Sequence, residues 1–182
     1  MLINPQYAID QGWITGLTNI AEQLQPNAVD FDIASVSRIN NNHFIINADN
    51  TKTHRGWTEL PTKRISAVSG PARDYFVLEG STSYDAMSNA YVKLPAGVAA
   101  TVIIRSTLNR NGLFLTSGLW DSGFEGNIGV IIHNMVDSQA FIEPGTRIGQ
   151  IIFHSSDSAG LYAGGYNHAE GSKWTEVAAN VK

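Results

Sequence analysis

The chain has 182 residues, about the length of one folded domain. Hydrophobic residues make up 43% of it and charged residues 15%, which is enough apolar material for a core and too little charge for a disordered chain. The absence of cysteine excludes disulfides, thiolate metal sites and a cysteine nucleophile. A net charge of −4 argues against a broad nucleic-acid-binding surface.

The first residues, Met1 to Asp10, show no basic region followed by an apolar run. No stretch of the sequence is apolar for long enough to cross a bilayer. We therefore expect a cytoplasmic protein that has neither a membrane nor a nucleic acid as its partner.

The N-terminal segment is the part of the chain for which a helix is predicted. Apolar residues recur at an approximately helical spacing from Ile3 to Ile14, and Pro26 ends any helix before it. We expect residues 1–25 to be mostly helical.

After Pro26 the pattern changes to short apolar runs bounded by Gly, Pro, Asn or Asp, which is typical of strands. Residues 47–73 carry few periodic apolar positions, so a long loop or an irregular insertion is expected there. Many short strands without a long helix predict a mainly β fold, as a sandwich, jelly roll or barrel. The predicted strands are Val29–Val36, Phe44–Ile46, Tyr75–Leu78, Tyr91–Leu94, Val98–Ile104, Leu113–Leu115, Ile128–Asn134, Ala140–Ile142 and Ile148–His154.

Residues Arg105 to Gly112 form a polar segment directly after an apolar strand. The guanidinium groups of Arg105 and Arg110 can make charge-assisted hydrogen bonds to an anion, and Ser106 adds a hydroxyl donor. The same residues also fit an ordinary polar turn that ends a strand.

Residues Gly118 to Val130 carry Asp121 and Phe124 among three glycines within nine positions, Gly118, Gly123 and Gly126. Glycines permit a tight hairpin and a close approach of a ligand to the backbone. A carboxylate in such a hairpin can orient and deprotonate a water molecule, and an aromatic ring can pack under a sugar. The alternative is an Asp-Ser-Gly turn with a core aromatic.

Two further segments have residues suited to a nucleotide. Pro144–Phe153 is a Pro-Gly turn leading into a strand with Arg147 and Gln150, which also fits an ordinary hairpin. The Gly- and Ala-rich tail, residues 155–182, reads as mobile, and a flexible segment with a cation and aromatics can fold over a ligand. The five histidines show no short metal-ligand spacing, so no metal site made of protein side chains is predicted.

Taken in order, these segments resemble the superfamily that contains the trimeric dUTPases and the dCTP deaminases. Gln25–Asp30 and Arg105–Gly112 are similar to deaminase motifs, and Gly118–Gly126 is similar to a motif of both branches. Pro144–Gln150 is similar to a dUTPase strand, and Tyr166–Trp174 to the deaminase tail.

The resemblance runs from the first helical segment to Trp174 and is weak across residues 37–73. It implies one dUTPase-like domain over residues 1–182, a distorted β-barrel or jelly roll with an N-terminal helical segment, 1–25, and a flexible tail, 155–182. It also implies a homotrimer whose sites form between subunits.

The two branches differ at one position. The resembling deaminases place a catalytic Glu five residues after the glycine that Gly126 matches, and this chain has Ile131 there. An isoleucine side chain can neither accept nor donate a proton. We therefore expect hydrolysis of dUTP to dUMP and pyrophosphate rather than deamination.

By the same resemblance, Asp121 orients the attacking water and Mg²⁺ is held mainly by the substrate phosphates. Tyr84-Asp85 is similar to a family loop position and receives no role. The residues expected to bind the deoxynucleoside triphosphate are Arg105, Ser106, Arg110, Gly118, Phe124, Gln150, Tyr166 and Lys173. The alternatives that stay open are a dCTP deaminase using another base, a non-catalytic nucleotide sensor of the same fold, and a purely structural β-domain.

Overall fold

The computed structural model describes residues 1–66 and 70–164, which form three antiparallel sheets and three short helices. The helices are α1 (Pro5–Asp10), α2 (Ile20–Gln23) and α3 (Ser106–Arg110). The strands are β1 (Ile14–Thr15), β2 (Val29–Asp32), β3 (Ser35–Ile39), β4 (Trp57–Glu59), β5 (Lys63–Ile65), β6 (Arg73–Leu78), β7 (Thr82–Lys93), β8 (Val98–Ile104), β9 (Leu113–Thr116), β10 (Glu125–Asn134), β11 (Ala140–Ile142) and β12 (Arg147–Ser155). The prediction of a mainly β fold is confirmed.

The largest sheet has the order β4-β3-β7-β10-β9, and β1 also pairs with β7. Two three-stranded sheets have the orders β11-β6-β5 and β2-β12-β8. In β7 and β10 buried residues alternate with less buried ones, because side chains point to opposite faces of a strand in turn. The buried faces meet in one core that includes Phe31, Tyr84, Ile128 and Phe153.

The N-terminal segment is less helical than expected. Only α1 and α2 form, and β1 lies between them and pairs with β7. Gly12 and Gly16 have φ values of +69° and +70°, which interrupt a helix. A Cβ on Gly16 would lie 2.4 Å from the carbonyl oxygen of Asn89, so this glycine permits the close approach to β7.

Four other expectations need correction. Residues 47–73 are not a continuous loop, because β4 and β5 lie within that range. The predicted strand Tyr91–Leu94 is the end of the twelve-residue β7, whose first part is too polar to show a strand pattern. Phe44–Ile46 lies outside the named strands, and Ser106–Arg110 forms the short helix α3.

Within residues 1–66 and 70–164, the longest helix has six residues, and none has the length and apolar character needed to cross a membrane.

Candidate functional site

A cavity of about 280 Å³ opens on the largest sheet, where β7, β9 and β10 meet the loop before β10. We call it the hairpin cavity. It is lined by Asp85, Thr116, Ser117, Gly118, Leu119, Trp120, Phe124, Gly126, Asn127, Gly129, Val130, Ile131 and Tyr162. Two of the predicted site residues, Gly118 and Phe124, therefore lie in its wall.

One wall of the hairpin cavity is aromatic. The rings of Trp120 and Phe124 are stacked, with centroids 5.3 Å apart and an angle of 24° between their planes. Tyr162 meets Phe124 edge-on at 5.9 Å, and its backbone N–H donates to the carbonyl oxygen of Ser122 at 2.7 Å. The chain around Tyr162 therefore packs over the hairpin, at the start of the segment predicted to be a tail.

The opposite side of the cavity is the surface of β10, where glycines leave space. The register between β10 and β7 shifts between Asn127 and Gly129. Such a bulge bends a strand and re-aims its side chains, and bulges are common beside functional sites. Because Gly126 and Gly129 have no side chains, a flat ligand can approach the backbone of β10 closely.

Asp121 lies at the edge of this cavity and is exposed. Its position is set by neighbours on both sides. Trp120 pairs with Ala100 through two backbone hydrogen bonds of 2.8 and 3.0 Å, and the Ser122 hydroxyl donates to the carbonyl oxygen of Val98 at 3.0 Å. Asp121 also lines an adjoining depression together with Asp157 and Tyr162. An exposed carboxylate on a fixed turn is free to hold a water molecule.

Asp85 is a cavity residue to which sequence reasoning gave no role. It lies on β7 directly opposite Ile131 of β10 and opposite Ser37 of β3. Burial raises the pKa of the Asp85 carboxyl to about 6. The resemblance matched Tyr84-Asp85 to a loop position, but both residues lie within β7. The proximity of Asp85 to Ile131 depends on the register between two strands far apart in sequence, which the sequence alone does not show.

Arg105 and Gln150 lie close together, but both contact the carboxylate of Asp30 and not that of Asp121. Asp30 is 1% exposed and accepts a hydrogen bond from Gln150 Nε2 at 2.8 Å. Arg105 Nε lies 3.2 Å and Arg147 Nη1 lies 3.4 Å from the other carboxylate oxygen of Asp30. We call Asp30, Arg105, Arg147 and Gln150 the Asp30 cluster. Arg105 also donates to the carbonyl oxygen of Arg147 at 3.2 Å.

The remaining predicted residues are distributed as follows. Ser106 and Arg110 are exposed at the two ends of α3, next to the Asp30 cluster in sequence. Tyr166 and Lys173 lie outside the described residues. Neither Arg105, Ser106, Arg110 nor Gln150 lines the hairpin cavity. They do not line the adjoining depression that contains Asp121 either. In one chain, the predicted phosphate-binding residues and Asp121 therefore belong to two separate places.

Within the part of the chain that the structure describes, no group of three or more His, Asp or Glu side chains is arranged to hold a metal ion. A single exposed carboxylate such as Asp121 suits Mg²⁺ only when a ligand supplies further oxygens. Mg²⁺ is commonly bound in this way, by one or two carboxylates and substrate phosphates.

The sequence of this chain matches a protein-family model and several known proteins. The model of the family described as dCTP deaminase-like matches residues 6–156. A dCTP deaminase, dUMP-forming, from Persephonella marina is 30% identical over 160 residues, which cover 86% of this chain and 84% of that protein. A probable deoxyuridine 5′-triphosphate nucleotidohydrolase from Methanopyrus kandleri is 28% identical over 145 residues, 80% of this chain and 88% of that protein.

A solved structure shares the fold. The 2′-deoxycytidine 5′-triphosphate deaminase from Agrobacterium tumefaciens aligns with a TM-score of 0.62 at 16% identity. The alignment covers 85% of this chain and 48% of that one, so this chain spans about half the length of that protein. The dUTPase-like architecture expected from the sequence is confirmed.

Proposed function

The chain belongs to the dCTP deaminase-like family, and we propose that it hydrolyses dUTP to dUMP and pyrophosphate, with Asp121 orienting the attacking water. The family includes enzymes of both reactions among the named relatives. The choice between them depends on which side chains in the hairpin cavity can move a proton and where they lie.

The observation that carries the proposal is Ile131. It lines the hairpin cavity at the position where the resembling deaminases have their catalytic Glu. A hydrocarbon side chain there cannot activate a water for attack on a pyrimidine ring. Asp121, in contrast, is exposed at the rim of the cavity, where the phosphates of a nucleotide held by its base would emerge.

The chemical step is an attack of water on the α-phosphorus. The carboxylate of Asp121 accepts a proton from the water as its oxygen bonds to phosphorus, and the bond between the α-phosphorus and the bridging oxygen to the β-phosphate breaks. Pyrophosphate leaves, and the proton passes from Asp121 to solvent. Such a step depends mainly on positioning and charge neutralisation.

Phe124 would pack against the deoxyribose from the aromatic wall, and Gly118 would let the ligand approach the backbone. The phosphate-binding role of Arg105, Ser106, Arg110 and Gln150 requires a second subunit, because these residues lie away from the hairpin cavity of their own chain. Arg105 uses only some of its five N–H donors on Asp30 and Arg147, so others remain for a phosphate. Tyr166 and Lys173 are likewise proposed to bind the triphosphate.

Mg²⁺ completes the proposal as a cofactor held mainly by the triphosphate. It would neutralise charge on the phosphates while Asp121 contributes one further oxygen near them.

The test is pyrophosphate release from dUTP in the presence of Mg²⁺. Asp121→Asn keeps the size of the side chain but removes its basicity, so we expect kcat to fall by roughly 10²–10⁴-fold. Asp74→Asn is the matched control, because it makes the same change at an exposed carboxylate that lines neither the hairpin cavity nor the adjoining depression. It should stay within a few-fold of wild type. Undiminished turnover by Asp121→Asn would refute the role of Asp121.

The homotrimer is tested separately by sedimentation equilibrium. A trimer is expected, since only a neighbouring subunit can bring an Asp30 cluster to the hairpin cavity. A monomer that still turns over dUTP would contradict the shared site.

Deamination is the second candidate, because the Persephonella marina relative is named a dCTP deaminase, dUMP-forming. A panel of dUTP, dCTP, dTTP and UTP, assayed for pyrophosphate and ammonia together, separates the two reactions. Pyrophosphate without ammonia from dUTP supports hydrolysis, and ammonia from dCTP supports deamination. Tight binding without either product would indicate a nucleotide sensor.

A further inference from the structure

Asp85 is the one charged side chain among the described residues that line the hairpin cavity. It projects from the middle of β7, between Ser37 on one neighbouring strand and Ile131 on the other. Side chains directly opposite each other in an antiparallel sheet have Cβ atoms roughly 5 Å apart. The Asp85 carboxyl therefore reaches the same part of the cavity as the side chain of Ile131.

This carboxyl has no compensating partner in residues 1–66 and 70–164. No hydrogen bond or ion pair holds it there, and burial is the cause of its raised pKa. A partly buried carboxyl without a partner costs folding free energy. A carboxyl of this kind in a cleft is a candidate for ligand recognition, since a ligand can supply the missing donor.

The shape of the cavity restricts what that ligand can be. The stacked rings of Trp120 and Phe124 give the cavity an apolar aromatic wall, and Gly129 leaves room on the β10 side. A flat heterocycle fits beside such a wall through ring contacts. Its edge would then meet the polar group in the cavity, the Asp85 carboxyl.

We propose that Asp85 is a specificity-determining residue of the hairpin cavity, whose carboxylate accepts a hydrogen bond from an N–H group of a bound pyrimidine base. The inference rests on the proposed function in that it takes the ligand to be a deoxynucleotide. It goes beyond the proposed function, which names no side chain that recognises the base, by assigning that role to Asp85.

The donors on the ligand are the N3–H of uracil and the amino group of cytosine. An ionised carboxylate is only an acceptor, so it requires such an N–H. Methylation of N3 removes the donor of uracil without changing the phosphates. The N3-methyl derivative of dUTP therefore measures this contact from the ligand side.

The contact also has a pH signature. Protonation of Asp85 removes the charge that strengthens the bond to an N–H, so affinity should fall as the pH drops through about 6. The other titratable groups near this face are His133 on β10, opposite Ser83, and Glu59 on β4, opposite Ser37. Tyr162 covers the cavity from the C-terminal side. A pH dependence that disappears in variants at Asp85 comes from Asp85 and not from these other groups.

The experiment is calorimetric binding of dUTP and dCTP with Mg²⁺ in an Asp121→Asn background, at pH 5 and pH 8. Asp85→Leu removes the acceptor and should weaken binding of the preferred nucleotide at least 10-fold at pH 8. Asp85→Asn keeps an acceptor oxygen and should bind within a few-fold of the parent at pH 8, without the loss at pH 5. Asp74→Asn is the control, because it removes a carboxylate whose partner, Arg64, lies on β5.

A loss for one nucleotide supports the proposal and identifies the base that Asp85 reads. Equal affinities in the parent, Asp85→Leu and Asp85→Asn at both pH values would overturn it, as would unweakened binding of N3-methyl-dUTP together with an unaffected Asp85→Leu. Turnover of dUTP by wild type is measured separately. Hydrolysis with Asp85-independent binding would leave the proposed function standing, whereas Asp85-dependent binding without hydrolysis would leave only the present inference.

Discussion

Two regions of this molecule bury a carboxylate at least partly, but one gives it hydrogen-bonding partners and the other does not. In the Asp30 cluster the carboxylate is 1% exposed and contacts two guanidinium groups and an amide. In the hairpin cavity Asp85 is less deeply buried but has no partner among the described residues. Burial therefore does not distinguish the two carboxylates, whereas the missing partner does, and the proposed ligand contact of Asp85 rests on that difference.

The contrast extends to the cations. Arg105 and Arg147 are anchored by Asp30, so their orientation is set before any ligand arrives. Preorganised donors cost less conformational entropy when they bind a phosphate. The Asp30 cluster is therefore suited to bind a phosphate group, and the hairpin cavity is suited to bind a base.

The largest expected effect is on the Asp30 cluster. Asp30→Ala leaves Arg105 and Arg147 without their shared acceptor and leaves Gln150 without its partner. Breaking a buried pair by removing one side typically costs about 3–5 kcal/mol. Urea unfolding should show a loss of this size in the free energy of unfolding.

Asp74→Ala is the control for that experiment. Asp74 lies 3.0 Å from Arg64, but the two side chains are 48% and 65% exposed. An exposed ion pair contributes less than about 1 kcal/mol. If both variants lose the same free energy, the Asp30 cluster is an ordinary surface arrangement and the comparison fails.

A smaller effect of opposite sign is expected at Asp85. Its pKa in the folded protein is raised to about 6, so the folded state binds a proton more tightly than the unfolded one. Stability from this group is fully present below about pH 4 and is lost as the pH rises to about 6. Asp85→Asn should therefore stabilise the protein at pH 7.5 by on the order of 2 kcal/mol, and by little at pH 4.

The measurement is the difference in unfolding free energy between wild type and Asp85→Asn across pH 4 to 8. Taking the difference cancels the titration of the other carboxylates. A difference that does not change with pH would mean that Asp85 is not strained by burial. A variant such as Asp85→Leu that is more stable than wild type but binds nucleotide more weakly would show that the wild-type carboxyl lowers stability and strengthens ligand binding.

Sequence reasoning found most of the strands but only some of the site. The strand Ala140–Ile142 was predicted with its observed bounds, and β8 was predicted as Val98–Ile104, because apolar residues between turn-forming residues give a local signal. The early part of β7 was missed, since Ser83, Asp85 and Ser88 interrupt the apolar pattern. Because of that omission Asp85 was assigned to a loop and received no role.

Contacts between residues far apart in the sequence were the other part of the site that could not be predicted. Gln150 and Asp30 are 120 residues apart in the sequence, and nothing local indicates that their side chains meet. The resemblance named Arg105 and Gln150 as phosphate ligands, but it did not show that a buried carboxylate already contacts both. Asp121 and Phe124, on the other hand, came from one continuous segment between β9 and β10, where a turn in which the Phe124 N–H donates to the carbonyl oxygen of Asp121 brings them together.

The smallest effect concerns the hydrogen bond that fixes the rim of the cavity. Ser122 is 2% exposed, and its hydroxyl donates to the carbonyl oxygen of Val98. Ser122→Ala removes that bond and should cost about 1 kcal/mol of unfolding free energy. Ser81→Ala is the control, because Ser81 is exposed, its hydroxyl donates to the exposed carboxylate of Asp137, and it does not line the hairpin cavity. Since Asp121 directly precedes Ser122, a loosened turn should lower kcat for dUTP more than it changes KM. An unchanged kcat would mean that the Trp120–Ala100 pairing alone holds Asp121 in position.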